Sequence, residues 1–174
     1  MSYQATNPLA DDFEFELGGT TTAYWIGLLR VITGWWFFHA GVTKIIESGL
    51  NFGYGPAYMQ QMTGTALGPI PVWMGNNLAW LIKPGVPLFE TLIGLALMVG
   101  VLTRLAAVGG TVFMTLFWVG NAGFGHGLVN SDLMGLLLFV TVLVLGAGRY
   151  YGLDAIIEKT EFVRQRPRLR YLLG

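Results

Sequence analysis

Three side chains that could bind a ligand or carry a proton lie inside one apolar stretch of the sequence. Residues 23–46, AYWIGLLRVITGWWFFHAGVTKII, contain Arg30, His39 and Lys44. An apolar helix of ~20 residues matches the ~30 Å hydrocarbon core of a bilayer. A charge within such a helix is costly, so it usually faces the protein interior and a partner. The stretch therefore predicts a transmembrane helix with specific polar contacts.

Glu90 is the acidic group that we expect to meet Lys44. Lys44 lies near the end of the first apolar segment, and Glu90 lies near the start of the next one. Because both of these ends lie on the same side of the membrane, the two residues reach a similar depth. We predict a buried ion pair between them. The sequence leaves two interpretations of that pair open: it binds a ligand, or it only holds two helices together.

The other two polar groups of the stretch point elsewhere. At 100° per residue, His39 lies roughly opposite Arg30 around the helix. We expect His39 at a helix–helix contact or at the edge of a pocket. For Arg30 we expect either the inner headgroups or a pairing with the C-terminal region, for example with Asp154.

Asn121 and His126 follow the third apolar segment, on the side of the membrane where Lys44 and Glu90 lie. Together with His39 these groups predict one outward-facing polar pocket. His126 sits in a glycine-rich stretch, and we interpret it as a surface residue. Two histidines without a patterned carboxylate do not predict a zinc or haem site, so no metal site is expected.

Composition sets the class of protein. Of the 174 residues, 53% are hydrophobic and 11% are charged, whereas a soluble domain carries about 25% charged residues. The formal net charge is zero, which provides no global field for nucleic acid. The chain contains no cysteine, which excludes disulfides, thiolate-bound metals and any mechanism that holds sulfur as a protein persulfide.

These features predict an all-α membrane protein, a single domain over residues 1–174 with four transmembrane helices. Residues 49–85 predict a long outer loop that carries short interfacial helices near 56–62 and 72–82. Ser131 is a suitable N-cap for the last span. The predicted segments are a polar tail at 1–22, spans at 22–46, 87–103, 105–120 and 133–147, and a basic tail at 154–174.

Basic residues predict the orientation. Five of the ten lie in the 154–174 tail, Arg149 lies just before it, and Arg104 lies in the turn between the second and third spans. The positive-inside rule therefore places both termini in the cytoplasm and both long loops outside. We expect a multi-pass protein of the cell membrane.

Three segments resemble the DoxX/DoxD family of small four-helix membrane proteins. They are HAGVTKI at 39–45, ETLIGLALMVGVLTRLAAVGG at 90–110 and LVLGAGRYYGLD at 143–154. The resemblance covers about residues 23–155. The positions that match the family pattern are Gly41, Lys44, Glu90, Gly100, Arg104, Gly148, Arg149 and Asp154.

The resemblance implies a membrane subunit of quinone-linked respiratory or sulfur chemistry. In the DoxD branch, this is the small, quinone-facing part of a thiosulfate:quinone oxidoreductase, which acts with a second subunit. The long loop between the first two spans is more similar to DoxD than to DoxX. A quinone would lie against the aromatic wall of residues 35–38, with no covalently bound cofactor.

Other functions stay open at this point. The chain could be a non-catalytic structural or assembly subunit of a larger respiratory membrane complex, or a small-molecule transporter. Whether it is an enzyme is not decided by these residues. We expect the lipid bilayer and other membrane subunits as partners, with a homo-oligomer as a further option and no nucleic acid.

Overall fold

Helices are the only regular elements within residues 19–65, 68–120 and 127–174, which are the residues that the computed structural model describes. The all-α class is therefore confirmed for these ranges. The α-helices are α1 (Thr20–Ser48), α2 (Tyr54–Gln60), α3 (Pro69–Asn77), α4 (Ala79–Val99), α5 (Thr103–Gly120), α6 (Ser131–Val144), α7 (Asp154–Ile157) and α8 (Glu161–Arg164). Short 3₁₀ helices lie at Met62–Gly64, Ala147–Arg149 and Pro167–Tyr171.

Helices α1 and α4 run antiparallel and form the most extensive helix pair. Lys44, near the end of α1, contacts Glu90 in the middle of α4. Arg30, nearer the start of α1, contacts Leu97 close to the end of α4. These contacts define two ends of the bundle, which we call the Lys44 end and the Arg30 end.

Glycines let the backbones of α1 and α4 approach closely. A Cβ atom on Gly34 would lie 2.8 Å from the carbonyl oxygen of Gly94, and one on Gly41 would lie 2.8 Å from that of Pro87. Real Cβ atoms do not lie that close to a main-chain oxygen, so a side chain at either glycine would push the two helices apart. Small residues have this role in membrane bundles generally.

Aromatic side chains join α1 to the second helix pair, α5 and α6. The ring centroid of Phe37 on α1 lies 4.5 Å from that of Phe139 on α6, with an interplanar angle of 69°. Gly110 on α5 leaves the space that the Phe139 ring occupies. Phe139 and Met114 are almost fully buried. Contacts of this kind hold membrane helices together through van der Waals packing.

The start of α4 corrects the sequence prediction. A second span was expected from residue 87 and an interfacial helix over 72–82, but α3 ends at Asn77 and α4 runs from Ala79 through Pro84 and Pro87. Each proline removes a single N–H, which would have bonded the carbonyl four residues earlier. Both losses fall in the first half of the helix. Trp80, whose carbonyl loses its donor to Pro84, is strongly exposed, whereas Pro87 is buried.

The start of α6 differs by one residue from the prediction. Asn130, and not Ser131, is the N-cap: its Oδ1 accepts hydrogen bonds from the backbone N–H groups of Asp132 (3.1 Å) and Leu133 (3.0 Å). Asn and Ser are about equally good caps, so composition does not distinguish them. The helix also ends before residue 147, because Gly146 adopts a left-handed conformation with φ of 57°.

Among the described residues, two helices are long and apolar enough to cross a membrane by length and composition, namely α4 and α5. Helix α6 is apolar but has only 14 residues. Helix α1 has 29 residues and contains Arg30, His39 and Lys44. Two of the four predicted spans therefore meet this criterion.

Candidate functional site

The predicted ion pair between Lys44 and Glu90 is present. Nζ of Lys44 donates a hydrogen bond to Oε2 of Glu90 at 2.6 Å. The Glu90 side chain is 4% exposed, whereas that of Lys44 is 24% exposed. The carboxylate is thus enclosed by protein, while the ammonium keeps an accessible side.

Further contacts direct the Lys44 side chain. Its Nζ lies 3.4 Å from the carbonyl oxygen of Ala40, one turn earlier on α1. The ring of Phe52, from the connection after α1, lies with its centroid 5.5 Å from the same nitrogen, within the range of a cation–π interaction. An ammonium has three N–H donors, and the described residues accept two of them.

A cavity of about 680 Å³ adjoins this ion pair. Ligand pockets of ~300–1,000 Å³ are usual for small organic molecules. Eight aromatic side chains line it: Trp36, Phe37, Phe52, Tyr54, Tyr58, Phe89, Phe113 and Phe117. Four methionines complete much of the wall: Met59, Met62, Met74 and Met114. Methionine side chains adapt readily to irregular apolar ligands.

Charged groups are few on this wall, and one of them was missed from the sequence. Of the described residues, Lys44, Glu90 and Asp132 are the charged ones that line the cavity. Asp132 lies in the first turn of α6, at the Lys44 end of the bundle. The depth argument that selected Glu90 would also have selected Asp132. A carboxylate and an ammonium in contact can exchange a proton and orient a polar atom, while the apolar remainder of the wall excludes water.

The cavity is covered by the short helices between α1 and α4. Nε2 of Gln60 on α2 donates a hydrogen bond to the carbonyl oxygen of Gly75 on α3 at 3.2 Å. Gly75 also permits close approach, since a Cβ there would lie 2.7 Å from the carbonyl oxygen of Pro56. Buried Met62 packs against Gly120 at the end of α5. The predicted loop with short helices is therefore a folded cover.

The opening of the cavity lies between this cover and α4. Tyr54, Leu81 and Phe89 line the cavity and are also 66%, 47% and 53% exposed. They come from α2 and the first half of α4. An apolar ligand can therefore reach the ion pair through an apolar mouth.

His39 does not line this cavity. It is exposed on α1, and its ring centroid lies 5.9 Å from that of Trp35. Neither the predicted helix–helix contact nor the pocket edge is found among the described residues. The remaining predicted pocket residues, Asn121 and His126, lie outside the described residues, as does most of the predicted 1–22 tail.

Arg30 is buried at the opposite end of the bundle, with 2% exposure. Its Nη1 donates to the carbonyl oxygen of Leu97 at 2.8 Å, and its Nη2 donates to those of Tyr151 (3.3 Å) and Tyr150 (3.5 Å). The expectation that Arg30 reaches lipid headgroups is wrong, because the end of α4 and the Tyr150–Tyr151 segment enclose the guanidinium. The alternative, a pairing with the C-terminal region, takes the form of hydrogen bonds to the carbonyl oxygens of Tyr150 and Tyr151, and the described contacts include no direct bond from Arg30 to Asp154.

Asp154 organises the Arg30 end through backbone hydrogen bonds. Its carboxylate accepts from the N–H groups of Leu102, Thr103 and Gly174, each at 2.9 Å. Two of these donors stand at the start of α5, so a residue about fifty positions later supplies the cap of that helix. Gly148 packs against this carboxylate, where a side chain would collide with it.

The other family-motif positions also have structural roles. Gly100 ends α4 in a left-handed conformation, with φ of 74°, and packs against the guanidinium of Arg30. Arg149 makes a bidentate ion pair with Glu158, with N–O distances of 2.9–3.1 Å. Arg104 is half-buried beside Gly146. These residues form a structural cluster far from the cavity.

The described residues thus contain two helices of membrane length, together with a polar pair beside an apolar cavity. Residues 26–123 match the DoxX family, which is more than half of the chain. The chain therefore belongs to the DoxX family, and it is a membrane protein of that type. No curated protein and no solved structure gave a match.

Proposed function

We propose that this DoxX protein is an integral subunit of a quinone-linked oxidoreductase and that its cavity at the Lys44 end binds the quinone. The observation that carries the proposal is the Lys44–Glu90 pair on the wall of an aromatic cavity of about 680 Å³. The thiosulfate-oxidising DoxD branch is the form that we favour, since the long cover between α1 and α4 resembles that branch.

The shape and chemistry of the cavity support a quinone as ligand. A quinone has a flat ring, which stacks against aromatic side chains, and two carbonyl oxygens, which accept hydrogen bonds. Lys44 is the cationic donor on the wall. The methionines suit a flexible isoprenoid tail, and the mouth formed by Tyr54, Leu81 and Phe89 would admit a ligand from the hydrocarbon phase.

Quinone reduction needs two electrons and two protons. Lys44 would donate a hydrogen bond to a ring carbonyl and stabilise the negative charge that develops on its oxygen. Glu90 and Asp132, the acidic groups of the wall, would relay protons. The electrons would come from a donor on a second subunit, with thiosulfate as the primary reductant in the DoxD form.

The membrane arrangement belongs to the same proposal. Helices α1, α4, α5 and α6 would cross the cell membrane as a bundle of four, with both termini in the cytoplasm. Lys44 and the cavity would then lie toward the outer face, and the Asp154 cluster toward the cytoplasm. Other membrane subunits of the redox complex would be the partners.

Binding of a soluble quinone analogue to the purified protein in nanodiscs tests the proposal. Decylubiquinone should quench the fluorescence of tryptophans such as Trp36 in a saturable way. Lys44→Met should weaken this binding at least about tenfold, because it removes the donor. Lys83→Met is the matched control, since Lys83 lies on the same helix pair but does not line the cavity. Equal binding by both variants would contradict the proposal.

A second function has a specific observation in its favour. The Lys44–Glu90 pair also joins α1 to α4, and most other family-motif residues have structural contacts only. In a non-catalytic assembly subunit, Lys44→Met would reduce the amount of a larger complex without changing turnover per complex. Measuring turnover after isolation of the intact complex separates the two functions.

A further inference from the structure

The outward face of α1 carries a continuous seam of side chains that the described elements leave exposed, except at half-buried Val42. The seam residues recur at alternating steps of three and four: Trp25, Leu28, Ile32, Trp35, His39, Val42 and Ile46. Five of them are large apolar side chains with 47–79% exposure. Steps of three and four give a period of 3.5 residues, which is the repeat of two helices that wrap around each other.

His39 distinguishes this seam from a face that simply contacts lipid. It is exposed, its ring centroid lies 5.9 Å from that of Trp35, and it has no hydrogen bond to the described residues. Because the helix spans Thr20–Ser48, His39 lies only ~8 Å from its midpoint at 1.5 Å per residue. An imidazole at that depth is costly against hydrocarbon. Among the residues that the structure describes, none supplies a hydrogen-bonding partner for it.

We propose that the partner is a second copy of this chain, bound through a parallel α1–α1′ seam. With Trp25 at a heptad a position, Ile32, His39 and Ile46 also occupy a positions, and Leu28, Trp35 and Val42 occupy d positions. In a parallel dimer the a residues of the two copies meet each other. Neutral histidine has one donor and one acceptor nitrogen, so two copies of His39 complement each other.

The choice of a second copy rests on this self-complementarity. A single polar a residue within an apolar seam fixes register and the number of strands, and only an identical helix places histidine opposite histidine. The exposed parts of the seam side chains amount to roughly 600 Å² per copy, close to the ~800 Å² that each partner of a standard interface buries. The inference does not depend on the ligand of the cavity.

Cysteine cross-linking in native membranes tests the seam directly, since the chain has no cysteine of its own. Ile32→Cys and His39→Cys should form disulfide dimers on mild oxidation. Leu92→Cys and Val108→Cys are the matched controls, since these residues are 57% and 45% exposed on α4 and α5. The proposal requires at least about five times more dimer from the seam variants. Equal or smaller yields would overturn it.

Association measured by energy transfer between labelled copies tests the role of His39. His39→Leu keeps the seam apolar but removes the hydrogen bond, so the dimer should weaken about three- to thirty-fold, the range for such bonds in membranes. His39→Gln retains a donor and an acceptor and should stay within about threefold of the native affinity. Unchanged association of the leucine variant would overturn the histidine pairing, because the apolar seam alone would then suffice.

Discussion

Nζ of Lys44 and Oε2 of Glu90 lie 2.6 Å apart and join α1 to α4, the most extensive helix pair among the described elements. The carboxylate is enclosed and the ammonium keeps an open side toward an aromatic cavity. The pair therefore has two consequences that can be measured separately, one for stability and one for binding.

Removing one member of the pair should destabilise the protein more than removing both. Lys44→Met leaves a buried carboxylate without its counter-charge, and we expect a loss of about 3–5 kcal/mol in the free energy of unfolding. The double variant Lys44→Met/Glu90→Gln should recover most of that loss. Thermal unfolding in detergent micelles measures both. A double variant as unstable as the single one would contradict a charge-balance role.

Glycine at position 94 should be required for the approach of α1 to α4. A Cβ there would lie 2.6 Å from both the Gly34 carbonyl oxygen and the Phe38 Cα, so Gly94→Ala must separate the helices and should cost at least about 1–3 kcal/mol. Gly85→Ala is the control on the same helix, where the new methyl would lie 3.7 Å from the Phe89 ring. It should be neutral or stabilising. A neutral Gly94→Ala would show that the close crossing is wrong.

Asp154 should be the most sensitive position at the Arg30 end. Asp154→Ala leaves three backbone N–H groups without their acceptor, and an unsatisfied buried donor costs about 1–3 kcal/mol. We expect a loss of at least about 3 kcal/mol in the free energy of unfolding and faster hydrogen exchange at Leu102 and Thr103. Glu161→Ala, at an exposed site, should stay within about 0.5 kcal/mol. A mild effect of Asp154→Ala would contradict its capping role.

The sequence predicted the Lys44–Glu90 pair because one rule governs it. Charges within apolar helices pair at matching depth, and two residues at the same end of adjacent helices satisfied that rule. The same rule would have found Asp132. The family resemblance selected Asp154 and Gly148 but did not reveal their contacts.

Arg30, Pro87 and His39 show what the sequence could not provide. The contacts of Arg30 depend on the Tyr150–Tyr151 segment. This segment lies more than a hundred residues later in the sequence but packs against α1 in the fold. Proline strongly prefers the first turn of a helix, so Pro87 suggested that a helix starts there. The packing of the whole of α4 overrides this preference. The direction of His39 depends on which face of α1 the other helices cover, and periodicity alone does not identify that face.

The central claim, that the cavity beside Lys44 holds a quinone, is tested most directly by what remains bound when the protein is taken from its native membrane. Extraction into polymer nanodiscs followed by mass spectrometry should find about one quinone per chain in the native protein. Ala40→Phe projects a ring into the cavity and should remove the quinone, whereas Ala23→Phe, on the same helix outside the cavity lining, should retain it. No quinone in the native protein, or equal retention by both variants, would contradict the account.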